Sequence, residues 1–224
     1  MALLIQPKHH SRFRRVLQAC FRLRREVFVD RLGWRLPDAQ VVAETGLEVD
    51  EFDHGAASYL AKLDDDGRVA ATLRITPSIE PNVSCDVLAK YMGIEMPRGP
   101  HIVEVSRMCA DPALSKDERR AVMLDMNIST GALFMQNGWT HGVGVGYDRH
   151  IQPFVRDGIK VEILGPPVIF PGDSDPSFAI LSSDPDRPAR LAQLAQLLGG
   201  RSSCLQDPSE DPSLIARYGD RAVA

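Results

Sequence analysis

The stretch Lys116–Gln136 constrains the fold more than any other. It describes a long helix with both ends marked: Ser115 stands at the N-cap, Glu118 completes a capping box, and Asn137-Gly138 stops it. On either side the apolar spacing switches to that of a strand, at His101–Met108 before it and at Thr140–Tyr147 after it. A helix held between two strands in this way needs a sheet to cover.

The remaining elements supply that sheet and its second cover. Residues 2–6 suit a short strand. From Ser11 to about Leu32 the apolar residues Phe13, Val16, Leu17, Cys20, Leu23, Val27 and Phe28 recur at helical spacing, with Ser11 as the expected N-cap and Gly33 as the stop. Residues 33–55 have no clean period, and Pro37 and Gly46 break any helix, so a long ordered loop is expected. Ala57–Leu63 and Val69–Ile75 read as a hairpin with Asp64–Gly67 at its tip. A short helix near Asp86–Tyr91, a helix at Arg149–Arg156, strands at Lys160–Leu164 and Ser177–Ser182, and a helix at Pro188–Leu198 follow. This order predicts an α/β protein: a three-layer α/β/α sandwich around a mixed sheet. One domain is expected over 1–199, and the Ser, Asp and Pro content of 200–224 predicts a poorly ordered tail.

Composition narrows the class. A chain of 224 residues with 44% hydrophobic and 25% charged residues has room for one real core. A formal net charge of −4 argues against a general nucleic-acid binder. Cys20, Cys85, Cys109 and Cys204 are far apart, with no C-x-x-C pair, and read as free thiols in a reducing cytoplasm. No segment approaches the run of about 20 apolar residues that spans a bilayer, so no membrane partner is expected.

Charge is unevenly spread. Residues 8–31 are rich in Arg, Lys and His, and residues 44–66 in Asp and Glu. Such asymmetry is commonly a solvated face; the alternative is two halves of a polar cleft. Arg24 and Phe28 are four apart and share a helix face, Trp34 follows in the loop, and Glu48-Val49-Asp50-Glu51-Phe52-Asp53 sets carboxylates beside a ring. Taken singly, Phe28 suits the core, Arg24 a solvated face and Trp34 a loop anchor. Taken together they suit a small ligand carrying cationic groups. Aromatic faces attract cations, and carboxylates bind ammonium through charge-assisted hydrogen bonds.

The pattern Leu-Arg-x-x-x-Phe-x-x-Arg-x-x-Trp from Leu23 to Trp34, followed by Glu-x-Asp-x-Phe-Asp from Glu48 to Asp53, resembles the signature of LuxI-type autoinducer synthases, the acyl-homoserine-lactone synthases. Arg74 in the second hairpin strand and Val103-Glu104-Val105-Ser106-Arg107 match further landmarks in order, and the resemblance runs to about Pro167. It implies a fold similar to GNAT-type N-acyltransferases. It also implies S-adenosylmethionine as amine donor, an acyl thioester on acyl carrier protein or coenzyme A as acyl donor, and no metal or cofactor. The products would be methylthioadenosine and a lactone signal for quorum sensing. By position, Arg24, Phe28, Trp34, Asp50, Asp53, Arg74 and Ser106 would surround S-adenosylmethionine, and Glu104 and Arg107 would be catalytic, with Glu104 the candidate base.

Two points of chemistry qualify that assignment. Side chains alternate along a strand, so Glu104 and Arg107 reach one site only where the strand ends or bulges between them. A carboxylate of ordinary pKa, about 4.3, is also a weak base for an ammonium group. Glu104 acting through a water is the credible form. On the acyl side, glycine and valine alternate from Gly142 to Gly146. Glycines on one strand face leave space for an acyl chain or allow close helix packing. Met108, Gly144 and Gly146 are the candidates for the acyl pocket. The family places threonine near Gly144 or Gly146 in members that prefer a 3-oxo group, so a 3-oxo product is not expected. Arg149, Arg156 and Lys160, with Lys116, Arg119 and Arg120, are candidates for docking an acidic carrier.

No G-x-G-x-x-G follows a strand, against a Rossmann-type methyltransferase. The Arg-x-x-Gly-x-Gly/Ala pyrophosphate loop of GNAT enzymes is absent between Arg107 and Met123. Two other readings stay open at this level: a GNAT-like N-acyltransferase acting on another amine, and a non-catalytic relative that binds S-adenosylmethionine or an acyl carrier.

Overall fold

The structure, a computed structural model, describes residues 2–34, 41–42, 46–53, 55–197 and 205–220. Ten strands are present among these residues: β1 (Ala2–Ile5), β2 (Val41–Val42), β3 (Leu47–Glu48), β4 (Ser58–Leu63), β5 (Val69–Pro77), β6 (Ile102–Ala110), β7 (His141–Tyr147), β8 (Lys160–Ile163), β9 (Ser177–Ser183) and β10 (Leu205–Gln206). The α-helices are α1 (Arg14–Arg24), α2 (Ala89–Met92), α3 (Lys116–Asn137), α4 (Asp148–Arg156), α5 (Arg187–Leu197) and α6 (Ser213–Tyr218). Eight strands form one mixed sheet in the order β10-β1-β4-β5-β6-β7-β9-β8, and β2 pairs with β3 alone.

Alternation along β1 and β4 divides the core into two layers. Leu3, Ile5, Tyr59 and Ala61 face Val16, Leu17 and Cys20 of α1. Ala2, Leu4 and Leu60 face the other way, onto a cluster that holds Met126, Leu133 and Phe134 of α3. This is the three-layer sandwich expected from the period changes. The α3 N-terminus carries the full capping box, and Gly138 closes the helix in the left-handed conformation at φ +66°.

The N-terminal helix departs from the expected form. Ser11 lies in a 3-10 turn over Pro7–Arg12, and Phe13 takes the N-cap position with no side-chain bond. Beyond Arg24 the chain widens into a π-helix over Arg25–Arg31. Gly33 ends it at φ +69°, and the Trp34 amide donates back to the Phe28 carbonyl at 2.8 Å. That turn lays the Trp34 indole on the Phe28 ring, with centroids 4.5 Å apart. The expected loop over 33–55 includes the short β2–β3 pairing; its residues 35–40, 43–45 and 54 lie outside the described residues.

Two features of β6 position the site. Register with β5 shifts between Thr72 and Arg74, and Arg107 sits at φ +55°, the one non-glycine residue with positive φ among those described. This is the bulge that Glu104 and Arg107 need in order to share a face. On its other side β6 pairs with β7, in parallel, only from Ile102↔His141 to Glu104↔Val143. Beyond that point β6 stays with β5 and β7 with β9, so the two strands fork.

The expected poorly ordered tail over 200–224 lies outside the described residues at 200–204 and 221–224. Over 205–220 the chain departs from that expectation: β10 pairs in parallel with β1, and α6 sends Leu214 into the α1-side core at 3% exposure. Leu214, Ile215 and Tyr218 are apolar residues at helical spacing hidden in a polar composition, and they join the cluster formed by β1, β4 and α1. Leu214→Ala is expected to cost about 2–4 kcal/mol of unfolding free energy in urea titrations, as for a packed core leucine; a loose tail would give a change near zero.

Candidate active site

Three arginines are buried on the α1 side of the sheet, and three carboxylates meet them. Arg24, at 1% exposure, donates from Nη1 and Nη2 to both oxygens of Asp53 at 2.7 and 2.8 Å and from Nε to Glu48. Arg107 reaches from the β6 bulge to Glu48 Oε1 at 3.0 Å and Asp50 Oδ2 at 2.7 Å. Arg74 on β5 bonds Asp50, Asp53 at 3.0 Å, and Ser106 Oγ at 3.2 Å. Tyr59 Oη donates to Asp53 at 2.7 Å. Each carboxylate is therefore shared by two arginines, and the lattice ties α1, β3, β5 and β6 together.

Electrostatics follow from that sharing. Burial pushes the Asp53 carboxyl up, but Arg24 and Arg74 overcome it and hold the group far below the usual carboxylate range. Glu48 is likewise lowered: Arg107 and Arg24 outweigh its burial. Burial works against the charge of Arg74, yet Glu104, Asp53 and Asp50 raise its pKa above the ordinary arginine value.

Glu104 is fully buried and takes no arginine as a hydrogen-bond partner among the described residues. Ser84 donates to its Oε1 from Oγ at 2.9 Å and from the backbone amide at 3.3 Å, and Ser106 Oγ donates to Oε2 at 2.9 Å. Its charge acts on Arg74, which lies two residues along the neighbouring strand from its partner Thr76. Among the described residues four carboxylates then face three guanidiniums, a balance that favours a cationic ligand.

The structure brings together Arg24, Asp50, Asp53, Arg74, Glu104, Ser106 and Arg107, as the sequence pattern anticipates. It also shows how they pair. Asp50 and Asp53 are fully engaged by arginines, so they build the wall of the site and are not open to a ligand ammonium. Arg107 turns to Glu48 and Asp50, not to Glu104. Phe28 is buried and Trp34 half-buried beside Cys109 of β6, and the Arg107 guanidinium lies over the Trp34 ring at 5.9 Å.

Three participants were not singled out from the sequence. Glu48 was visible as the first acid of its motif but was given no role. Ser84, on the short π-helical turn Ser84–Leu88, carries no local signal, because only the tertiary fold sets it against Glu104. Tyr147 ends the Gly-Val strand, and its hydroxyl accepts from Trp34 Nε1 at 2.8 Å.

The glycines of β7 differ from one another. A Cβ on Gly144 would lie 2.9 Å from the Val105 carbonyl oxygen, at the crotch of the fork, and one on Gly142 would lie 2.9 Å from Ser182 Oγ. The backbone contact requires glycine at 144, whereas at 142 the Ser182 hydroxyl can turn aside. Gly146 meets nothing within 4 Å, and it is the one of the three that leaves open space. Met108 is half-buried against the α3-side core. Among the candidate docking cations, Arg156 and Lys160 are exposed, whereas Arg149 pairs with Asp175 and lies over the Tyr147 ring at 4.3 Å. A separate cavity of about 350 Å³, lined by Leu4, Ile75, Leu133 and Trp139 among others, opens on the α3 side and includes none of the ionic cluster.

Acid titration checks the lattice. Asp53 and Glu48 have lower pKa values folded than unfolded, so the unfolded chain takes up protons first as the pH falls. Stability from these groups is full above the ordinary carboxylate range and is lost as pH drops below about 4. Urea midpoints are expected to hold between pH 7 and 5 and to fall steeply from pH 4 to 3.

Known proteins resemble this chain in sequence and in fold. Residues 8–169 match the family model described as autoinducer synthase. An acyl-homoserine-lactone synthase of Agrobacterium fabrum is 29% identical over 170 residues, covering 74% of this chain and 78% of the relative. One from Aliivibrio fischeri is 33% identical over 107 residues, covering 47% of this chain and 53% of the relative. Among solved structures, BjaI, a coenzyme-A-dependent acyl-homoserine-lactone synthase solved with S-adenosylmethionine and isopentyl-coenzyme A, superposes with a TM-score of 0.78 at 23% identity, over 97% of this chain and 98% of that one. Among the described residues no helix is long and apolar enough to cross a membrane. The family model spans the buried lattice, the β6 bulge and the fork beside it, and the chain belongs to the autoinducer synthase family.

Proposed function

We propose that this protein is an acyl-homoserine-lactone synthase that joins an acyl thioester to S-adenosylmethionine and closes the lactone. The observation that carries the reading is Glu104: a buried carboxylate held by Ser84 and Ser106, with no arginine bonded to it among the described residues, where β6 and β7 begin to fork. A carboxylate used only for packing would be matched to a cation, as Glu48, Asp50 and Asp53 are.

In the first step the ammonium of S-adenosylmethionine gives a proton to Glu104 through a water. The free amine attacks the thioester carbonyl, the C–S bond breaks with its electron pair going to sulfur, and the departing thiolate takes the proton held by Glu104. The nitrogen, on becoming an amide, sheds its second proton through the water to the carboxylate so freed and on to solvent. In the second step the ligand's own carboxylate oxygen attacks its γ-carbon. The bond to the sulfonium breaks, its electron pair goes to sulfur, and methylthioadenosine leaves as a neutral thioether. The stacked Phe28 and Trp34 rings suit the cationic sulfonium, and the second step gains chiefly from holding carboxylate and γ-carbon in line. Neither step calls for a metal, a cofactor or a covalent enzyme intermediate. The fork between β6 and β7 suits the acyl donor, with Gly146 and Met108 beside the chain.

Mass spectrometry on purified protein, S-adenosylmethionine and a panel of acyl-coenzyme A and acyl-carrier-protein thioesters tests this reading. At least one donor is expected to yield methylthioadenosine and the matching lactone; release of methylthioadenosine with none would sink it. Glu104→Gln is expected to lower kcat by about 10²–10⁴-fold, the span of general-base catalysis, with S-adenosylmethionine binding changed by less than about threefold. Equal losses in both would make Glu104 structural.

A further inference from the structure

The two walls of the fork are bridged by one side chain. Trp34 comes from the end of the N-terminal helix, stacks on Phe28, and lies under the Arg107 guanidinium of β6. Its indole N–H donates to the hydroxyl of Tyr147, at the far end of β7, at 2.8 Å. Past Glu104 and Val143 the strands no longer pair with each other, so this contact spans the gap where they have separated.

The far end of the bridge is itself fixed. Tyr147 is buried at 4% exposure, with its hydroxyl accepting from Trp34. Burial pushes the phenol up to about 12, with the nearby Asp173 carboxyl acting in the same direction, so at neutral pH it is a neutral group that accepts the indole N–H. Asp173 sits in the β8–β9 connection, next to Gly172 at φ +93°. A Cβ on Gly172 would lie 3.1 Å from the Gly33 carbonyl oxygen. The connection therefore closes directly over the turn that presents Trp34. Arg149 covers the outer face of the Tyr147 ring at 4.3 Å.

We infer that Tyr147 is a positioning residue, which holds the Trp34 indole across the β6–β7 fork and so couples the pocket for the amine donor to the entrance for the acyl donor. The inference rests on the synthase reading above for its functional consequence. Its structural half stands without it. Phe28 alone can fix the plane of the indole by stacking; the Tyr147 hydroxyl fixes its rotation within that plane, because it meets the single polar atom of the ring. An indole free to turn would lose its place beside a bound sulfonium and leave the fork unbridged.

Acrylamide quenching tests the structural half with no substrate. The chain has two tryptophans, so in a Trp139→Phe background Trp34 is the sole indole fluorophore. Adding Tyr147→Phe keeps the ring and removes the hydroxyl. The quenching constant is expected to rise at least twofold with the melting temperature little changed; an unchanged constant overturns the proposal. The functional half is read by steady-state kinetics on four proteins: the parent, Tyr147→Phe, Trp34→Phe and the double variant. Tyr147→Phe is expected to raise the KM for S-adenosylmethionine about three- to tenfold, as for one buried hydrogen bond, with kcat within about twofold. In the Trp34→Phe background the same change is expected to add nothing, since phenylalanine has no N–H to donate. Multiplied effects would mean that Tyr147 acts apart from Trp34 and would overturn the proposal. If no thioester supports turnover at all, the synthase reading fails and the quenching result still decides the contact.

Discussion

The shared carboxylates of Glu48, Asp50 and Asp53 are what the rest of the site depends on. A buried guanidinium is costly unless its hydrogen bonds are met with good geometry, and removing one partner of a buried pair costs about 3–5 kcal/mol. Here each acid serves two arginines, so no arginine depends on a single partner. The lattice also does mechanical work. Arg24 comes from α1, Arg74 and Arg107 from adjacent strands, and the acids from the segment that enters the sheet. Closing the lattice sets the helix, the strands and the loop end in one register. A site that must present a fixed surface to a charged ligand gains from walls that cannot shift independently.

The β6 bulge shows the same lattice offsetting a local cost. A residue with a Cβ in the left-handed region carries strain of about 1–3 kcal/mol, and Arg107 holds such a conformation at φ +55°. Its two ion pairs exist only because the bulge turns its side chain to the α1 side. Strain, bulge and ion pairs are one arrangement, set on the β6 wall of the fork that opens just after Glu104. Glu104, three residues earlier, lies before the bulge on regular strand, where Ser84 and Ser106 meet it. The strand thus carries its serine-held acid and its ion-paired arginine on one face at a spacing that regular alternation forbids.

Most of the layered fold was legible in the residues. The capping box of α3, the period-2 runs of the hairpin and the Gly-Val strand each state their local structure, and their order implies a mixed sheet covered on both faces. The helix from Ser11 was harder to read, because the same apolar spacing is compatible with a π-helical widening that no propensity marks. The C-terminal segment misled for a related reason. Its composition is that of a disordered tail, while its order is set by three apolar side chains joining the cluster formed by β1, β4 and α1. Average composition cannot report a contact made by so few residues.

The sequence by itself determined which residues would gather: the Arg24–Trp34 helix face, the acids from Glu48 to Asp53, Arg74, and the run from Glu104 to Arg107, all legible as types in a fixed spacing. Only the tertiary structure decided what each would do. Pairing depends on distances between segments far apart in the chain, so it was folding that bound Asp50 and Asp53 to arginines and left Glu104 to two serines. Folding also set Tyr147 against Trp34, 113 residues away in sequence. Local spacing fixes the face on which a side chain stands; the partner it meets there follows from how the layers close.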